Sequence, residues 1–330
     1  MKYTANENRY EKMVYNKCGD SGLKLPAVSL GLWHNFGTKA KSDTMKEMLF
    51  TAFDLGITHF DLANNYGPIP GSAEENFGKI LHSDMMQYRD EMIISTKAGY
   101  DMWAGPYGNF GSKKYLIASL NQSLKRMNLD YVDIFYHHRM DPDTPLEETM
   151  HALDCIVKSG KALYVGLSNY DGQTMIKASK ILENLGCPFV INQNAYSILN
   201  RTVEHNGLKG ATIEKKKGLI VFSPLAQGLL SNRYLKDIPE DSRIKTDGRF
   251  LTESDLTEDM RSKLQTLNTI AKNRGQTLAQ MALSYMAQDD AVTSVLIGAS
   301  KPEQIKENVA CIEKLNFTID ELVAINAIAG

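Results

Sequence analysis

Four polar residues close or follow short apolar runs in this chain, and their types suit proton delivery to an oxygen. Lys97 closes Met92-Ile93-Ile94-Ser95-Thr96-Lys97. Asp61 closes Gly56-Ile57-Thr58-His59-Phe60-Asp61, with Tyr66 in the segment that follows. Tyr131-Val132-Asp133-Ile134-Phe135-Tyr136 runs into His137 and His138. If these runs are parallel neighbouring strands, the four groups converge at one end of a sheet. A lysine ending an apolar strand is costly to desolvate unless paired, and Asp61 is the partner at hand. An ammonium beside the Tyr66 hydroxyl is expected to lower the phenol from its reference pKa of about 10, making Tyr66 a general acid near neutral pH. A neighbouring histidine can hydrogen-bond the same substrate oxygen. The set suits carbonyl reduction if a hydride arrives from elsewhere. Successive side chains on a strand point to opposite faces, so one of His137 and His138 should face the site; spacing leaves the choice open. An Asp/His cluster can also hold a metal. However, no HExxH, HxH or CxxC accompanies it and Lys97 would repel a cation, so no metal is expected.

The elements that must position these groups are strands alternating with helices. Strands are expected near Val28–Leu32, Ile57–Asp61, Met92–Lys97, Val132–His137, Ala162–Leu167, Phe189–Gln193, Leu219–Ser223 and Thr293–Gly298. Most are short and apolar throughout, as in a parallel sheet covered on both faces. Helical patterns fall between them. Ser42-Asp43 can cap a helix running to Leu55, and Ser72 with Glu75 resembles a capping box before Asn76–Leu81. Further helices are expected over Lys113–Met127 after Ser112, Leu146–Lys158, Asp171–Leu185 and Pro302–Lys314. Eight alternations imply a closed (β/α)8 barrel in one domain spanning residues 1–330, with a doubly wound open sheet as the alternative. Val14–Gly19 and Leu23–Leu25 read as a hairpin before the barrel. Pro224 to Thr257 is a long polar insertion after the seventh strand, of the kind that is functional or mobile. In a barrel all strand C-termini share one face, where active sites lie.

Composition narrows the setting. The chain has 330 residues, 43% apolar, and a formal net charge of −2, which argues against nucleic-acid or anionic-membrane partners. Lys215-Lys216-Lys217 is the densest basic run and reads as a solvated helix end. Cys18, Cys155, Cys187 and Cys311 are scattered, as in a cytoplasmic protein with reduced thiols. The polar N-terminus has no apolar core of a signal peptide, and no apolar run approaches membrane-spanning length.

A Rossmann or P-loop cofactor site lacks its main support as the hydride source, because neither GxGxxG nor GxxxxGK[ST] occurs. A barrel can instead hold phosphate in the loops after its last two strands. Those loops read Ser223-Pro224-Leu225-Ala226-Gln227-Gly228 and Gly298-Ala299-Ser300-Lys301-Pro302. Ser168-Asn169 and Gln193 aim hydroxyl and amide groups at the same mouth, and Tyr196 can stack on a flat ring.

At this point the chain resembles the aldo-keto reductases over nearly its whole length. The resemblance rests on Gly56-Ile57-Thr58-His59-Phe60-Asp61-Leu62-Ala63-Asn64-Asn65-Tyr66-Gly67, Ser95-Thr96-Lys97, Leu129-Asp130-Tyr131-Val132-Asp133, Gly160-Lys161-Ala162-Leu163-Tyr164-Val165-Gly166-Leu167-Ser168-Asn169 and Ser223-Pro224-Leu225. It implies a (β/α)8 barrel binding NADPH in extended form. It assigns a catalytic tetrad to Asp61, Tyr66, Lys97 and His138. By the same resemblance Ser168, Asn169 and Gln193 hold the nicotinamide carboxamide and Tyr196 stacks on the ring. Ser223, Leu225 and Gln227 line the pyrophosphate within the loop that also holds Pro224, Ala226 and Gly228. Gly298, Ser300, Gln304, Glu307 and Asn308 surround the adenosine.

Three further stretches, Gly31-Leu32-Trp33-His34-Asn35-Phe36-Gly37, Ala98-Gly99-Tyr100 and Pro224–Leu230, resemble one subgroup of that family. The subgroup comprises bacterial L-glyceraldehyde 3-phosphate reductases and is similar to potassium-channel β subunits. Such relatives form tetramers or octamers, which implies a homo-oligomer. Arg233 and Arg243 match positions that contact the cofactor and suit a 2′-phosphate, favouring NADPH over NADH. Gln304 departs from the arginine frequent at its position, and the long C-terminal loop of many mammalian reductases is missing. Trp33 and Trp103 are then the pocket walls, Trp33 also reaching the cofactor. The function implied is NADPH-dependent reduction of small aldehydes such as glyceraldehyde 3-phosphate or methylglyoxal. The alternative is a redox-sensing regulatory subunit with little turnover, although those relatives tend to carry asparagine where His138 stands.

Overall fold

In the computed structural model, which describes residues 3–240 and 242–329, eight parallel strands close into a barrel. A hairpin of β1 (Tyr15–Lys17) and β2 (Lys24–Pro26) precedes it. The barrel strands are β3 (Val28–Gly31), β4 (His59–Asp61), β5 (Ile93–Ala98), β6 (Val132–His137), β7 (Ala162–Ser168), β8 (Phe189–Ala195), β9 (Gly218–Phe222) and β10 (Ser294–Ile297). They follow one another in chain order, and β10 pairs with both β9 and β3 to close the ring. All eight expected strands are present, so the open-sheet alternative is excluded.

Helices such as Lys113–Met127, Leu146–Lys158 and Gly172–Asn184 bury one stripe against the barrel, whereas Leu278–Ala287 is buried nearly all round. Two are capped as their sequences suggest: Ser112 accepts from the Tyr115 N–H at 3.3 Å, opening Lys113–Met127, and Asp171 accepts from the Thr174 N–H at 2.7 Å, opening Gly172–Asn184. Two expected caps do not form. The first helix begins at Ser42 itself, preceded by Lys41 in extended conformation, so the Ser42 side chain lies inside the helix and caps nothing. The second begins at Ser72 rather than after it, preceded by Gly71 at φ 90°, and the Ser72 hydroxyl donates instead to the Ile69 carbonyl at 2.6 Å. The helix expected over Pro302–Lys314 is α-helical only to Val309 and tightens to 3₁₀ from Ala310.

Strand period places the chemistry. Inside the barrel, Ile134 and Tyr136 of β6, Ile191 of β8, Ile220 of β9 and Leu296 of β10 form one buried cluster. The hairpin seals the N-terminal end by adding Cys18, Leu23 and Leu25 to that cluster. Residues of the opposite parity, such as Phe135, Leu219 and Val221, join the larger core between barrel and helices. Gly166 of β7 makes room for the Tyr136 ring, since a Cβ there would lie 2.3 Å from a Tyr136 ring carbon. Gly166→Ala should therefore destabilise the protein by about 1–3 kcal/mol through overpacking, read from its urea midpoint. A midpoint equal to wild type would show that the Tyr136 ring can yield.

The insertion after β9 is neither extended nor detached. It is folded into short helical turns at Ala226–Gly228, Asn232–Tyr234, Arg243–Thr246 and Glu253–Asp255, with Leu229, Leu230, Tyr234 and Ile244 buried. Among the described residues no helix is long and apolar enough to cross a membrane.

Candidate active site

Interior parity carries Asp61, Lys97 and Gln193 to the C-terminal mouth, since each is spaced by two from an inward side chain below it. There they meet. The Lys97 Nζ donates to Asp61 Oδ2 at 2.5 Å, to the Leu62 carbonyl at 2.6 Å and to the Tyr66 hydroxyl at 3.2 Å. Lys97 and Asp61 are both fully buried, so each is held in the barrel by the other. Asp61 Oδ1 accepts from Ser95 at 2.6 Å and from Gln193 at 3.1 Å. The carboxylate is thereby fixed on both oxygens.

The same parity decides between the two histidines. His138 follows Ile134 and Tyr136 in the inward series, and its ring stands 6.0 Å from the Tyr66 ring. Its approach is permitted by Gly99, where a Cβ would lie 2.9 Å from His138 Cβ. Tyr100 packs edge-on against it at 4.7 Å. His138 Nδ1 is buried with no partner among the described residues. His137 faces outward, where its Nδ1 meets the Tyr170 hydroxyl at 2.6 Å.

The electrostatics correct one expectation. Burial, with the Asp61 charge and Tyr100 adding to it, holds the Tyr66 phenol well above the ordinary tyrosine value. The Lys97 hydrogen bond to the hydroxyl at 3.2 Å favours the phenolate but does not offset that burial, and Asp61 and the Leu62 carbonyl hold the ammonium more closely. Burial pulls the Lys97 ammonium down and Asp61 opposes that pull. His138 is held well below the usual histidine range by burial and then by the Lys97 charge, so its ring is neutral. The resting site is a protonated phenol and a neutral imidazole beside a buried ion pair.

The remaining expected residues ring this mouth. Ser168 ends β7, and the Asn169 side chain donates to the His138 carbonyl at 2.9 Å from a left-handed backbone at φ 57°. After β9, Ser223, Ala226 and Gln227 all have positive φ, as does Gly228. Strain of this kind in non-glycine residues is stored at ligand sites, and such turns aim successive N–H groups into a concavity. The Gln227 amide donates to the Ser223 hydroxyl at 3.0 Å, and Arg243 donates to the Gln227 carbonyl oxygen. Pro224 is buried, whereas Leu225 is only partly covered. Arg233 lines, with Lys236, Asn268 and Lys272, a cleft of about 400 Å³ outside the barrel. Gly298 and Ser300 are exposed above β10, Glu307 is exposed and Asn308 buried, and Gln304 accepts from the Ser300 N–H at 2.8 Å.

Tyr196 does not sit where a ring could stack. It has the outward parity of Asn194, is 2% exposed, and its hydroxyl donates to Glu204 and to Asp289 at 3.3 Å. A partly exposed aromatic at the end of a barrel strand is Phe222, last in β9 and packed on the interior cluster. Its signal in the sequence is its spacing of two from Ile220. Trp33 lies 6.4 Å from the Tyr66 ring, and Phe250 of the insertion meets Trp33 at 5.2 Å. His34 Nε2 is 3.4 Å from Asp247, a second contact that folds the insertion over the mouth. Trp103 packs on Tyr115 at 5.2 Å, and Tyr115 holds the Asn64 side chain at 3.1 Å.

Comparisons with known proteins agree with this geometry. The Aldo/keto reductase family profile matches residues 27–329. The chain is 56% identical to an L-glyceraldehyde 3-phosphate reductase of Escherichia coli (strain K12), over 99% of this chain and 95% of that protein. It is 33% identical to a probable voltage-gated potassium channel subunit beta of Oryza sativa subsp. japonica, over 94% of each. A probable subunit beta of Arabidopsis thaliana is 34% identical over 91% of this chain and 92% of that protein. With a closed parallel barrel, a strand-end Asp–Lys–Tyr cluster and these matches, the chain belongs to the aldo/keto reductase family of oxidoreductases.

Proposed function

We propose that this protein reduces small aldehydes to alcohols with NADPH, and that glyceraldehyde 3-phosphate and methylglyoxal are within its range. The observation that carries the reading is Lys97 Nζ bonded at once to Asp61 and to the Tyr66 hydroxyl. The 56% identity to a glyceraldehyde 3-phosphate reductase supports the substrate class.

The residues present fit the cofactor. The positive-φ turn over Ser223–Gly228 would offer a pyrophosphate the Leu225 and Gln227 N–H groups, since those of Ala226 and Gly228 already donate to the Ser223 and Leu225 carbonyls. Phe222 offers a ring face, while Ser168, Asn169 and Gln193 offer amide and hydroxyl groups to a carboxamide. The adenosine end falls to Gly298, Ser300, Gln304, Glu307 and Asn308, and its 2′-phosphate to Arg233 and Arg243. When bound, NADPH supplies the hydride. Tyr66 hydrogen-bonds the aldehyde oxygen and gives it a proton as negative charge develops there. The same oxygen takes a second hydrogen bond from the His138 ring, through the nitrogen other than the buried Nδ1. Lys97 meets the phenolate left on Tyr66, its attraction strengthened by the dry site. Trp33, Trp103 and Phe250 wall the pocket and keep water away.

Arg243→Ala should weaken NADPH by about 2 kcal/mol, roughly thirtyfold, while leaving NADH nearly unchanged, as for loss of a hydrogen bond to a charged group. Fluorescence titration of both cofactors reads this; equal losses for the two would place Arg243 away from the 2′-phosphate.

The likeness to channel beta subunits supports a second reading, a cofactor-holding regulatory subunit. A homo-oligomer in the cytoplasm fits either reading, and the last helix, Ile319–Ala329, exposes Ile319 and Val323 as an apolar face for such contacts. Steady-state NADPH oxidation against a panel of aldehydes separates the readings. Turnover is expected; none on any aldehyde, with stable partner binding, would favour the second.

A further inference from the structure

The barrel interior is chemically divided. On the side of β6, β8 and β9 it is apolar, built from Ile134, Tyr136, Ile191 and Ile220. Apolar filling is the usual content of such barrels. Across β10, β3, β4 and β5 one layer of inward residues is instead polar, Ser294, Ser29, His59 and Ser95, none more than 1% exposed. They form one chain of hydrogen bonds. Ser294 meets Ser29 at 2.6 Å, Ser29 meets His59 Nδ1 at 2.9 Å, His59 Nε2 meets Ser95 at 2.9 Å, and Ser95 donates to Asp61 Oδ1 at 2.6 Å. The chain ends on the carboxylate that holds Lys97.

Donor counting leaves one arrangement. A carboxylate only accepts, so the single Ser95 proton points at Asp61. Toward His59 the Ser95 oxygen can then only accept, so Nε2 carries the hydrogen. The charged groups facing His59 are Asp61 on its own strand and Lys97 on β5; burial outweighs Asp61 and pushes the imidazole down to about 4, so the ring is neutral. Nδ1 therefore accepts, Ser29 donates to it, and Ser29 receives its own hydrogen bond from Ser294. Every donor points toward Asp61.

We infer that His59 is a positioning residue for the reduction, locking the Ser95 hydroxyl onto Asp61 so that Asp61 holds the Lys97 ammonium against Tyr66. This rests on the proposed roles of Lys97 and Tyr66. Asp61 Oδ1 has two donors, Ser95 and Gln193. Gln193 is also a carboxamide ligand in the proposed site. When Gln193 turns to that task, Ser95 alone restrains Oδ1, and His59 is what keeps Ser95 from rotating away.

His59→Leu removes both ring nitrogens at similar volume. It should lower kcat about tenfold, the rate equivalent of one buried hydrogen bond, with aldehyde KM and NADPH affinity unchanged. His59→Gln, which keeps one donor and one acceptor, should recover most of that loss. A purely structural role would lower the melting temperature and leave kcat at assay temperature untouched; that result overturns the inference. If His59→Leu does not fold, Ser29→Ala is read in the same way, with a several-fold lower kcat expected and wild-type kcat overturning. Histidine ¹⁵N spectra of the wild-type protein test the relay without turnover. A neutral Nε2–H ring at His59, assigned by its loss in His59→Gln, is expected, and an Nδ1–H ring overturns the arrangement. Wild-type protein that shows this ring yet consumes no NADPH would fail the proposed reaction instead.

Discussion

Tyr66→Phe is expected to cut kcat by roughly 10²–10⁴-fold, the range for loss of a positioned general acid, while NADPH affinity stays at the wild-type value. Among the described residues the hydroxyl is hydrogen-bonded to Lys97, at 3.2 Å, and to no residue assigned to the cofactor. Its deletion therefore removes the proton without removing a cofactor contact. The ring itself stays, so the pocket wall it forms with Trp33 is kept. Single-turnover rates with a saturating aldehyde would check this beside a fluorescence titration of NADPH. A variant that reduces aldehyde at the wild-type rate would move the acid to another group.

Lys97→Met should lose both turnover and stability. Breaking a buried ion pair strands the surviving charge, and costs of about 3–5 kcal/mol are typical. Here the stranded group is Asp61, fully buried, with Ser95 and Gln193 as its remaining donors. The double variant Asp61→Asn with Lys97→Met removes the stranded charge and should regain much of the stability, yet remain inactive. Urea midpoints and kcat measured on the single and double variants separate the two roles. If the double variant regained activity together with stability, Lys97 would be scaffolding only.

Much of the frame is legible in the sequence, because the barrel strands are short, apolar and regularly spaced. Strand parity is not. In a parallel sheet both faces are covered, so the runs read as apolar throughout and the alternation that separates inward from outward is hidden. That is why His137 and His138 were indistinguishable by spacing, although one lies inside the barrel mouth and the other against Tyr170. The same hidden alternation conceals Phe222, and the sequence offers Tyr196 as the stacking ring instead. The Asp61–Lys97–Tyr66 cluster is legible because Asp61 and Lys97 lie at the ends of neighbouring strands and Tyr66 in the loop after the first. The electrostatics are not legible, since the net shift of Tyr66 is set first by how deeply the phenol is buried and then by the Asp61 charge beside it. Ser42 and Ser72 failed as caps because each helix began at the serine rather than one residue later. The His59 chain joins residues from four strands, and no single stretch of sequence shows it.

The most direct test is a balance of reactants for the wild-type protein given NADPH and L-glyceraldehyde 3-phosphate. Loss of NADPH matched one to one by formation of glycerol 3-phosphate, and abolished in Tyr66→Phe, is the expected result. No NADPH loss with this or any other aldehyde, or equal loss in Tyr66→Phe, would contradict proton delivery from Tyr66 in the Asp61–Lys97 site.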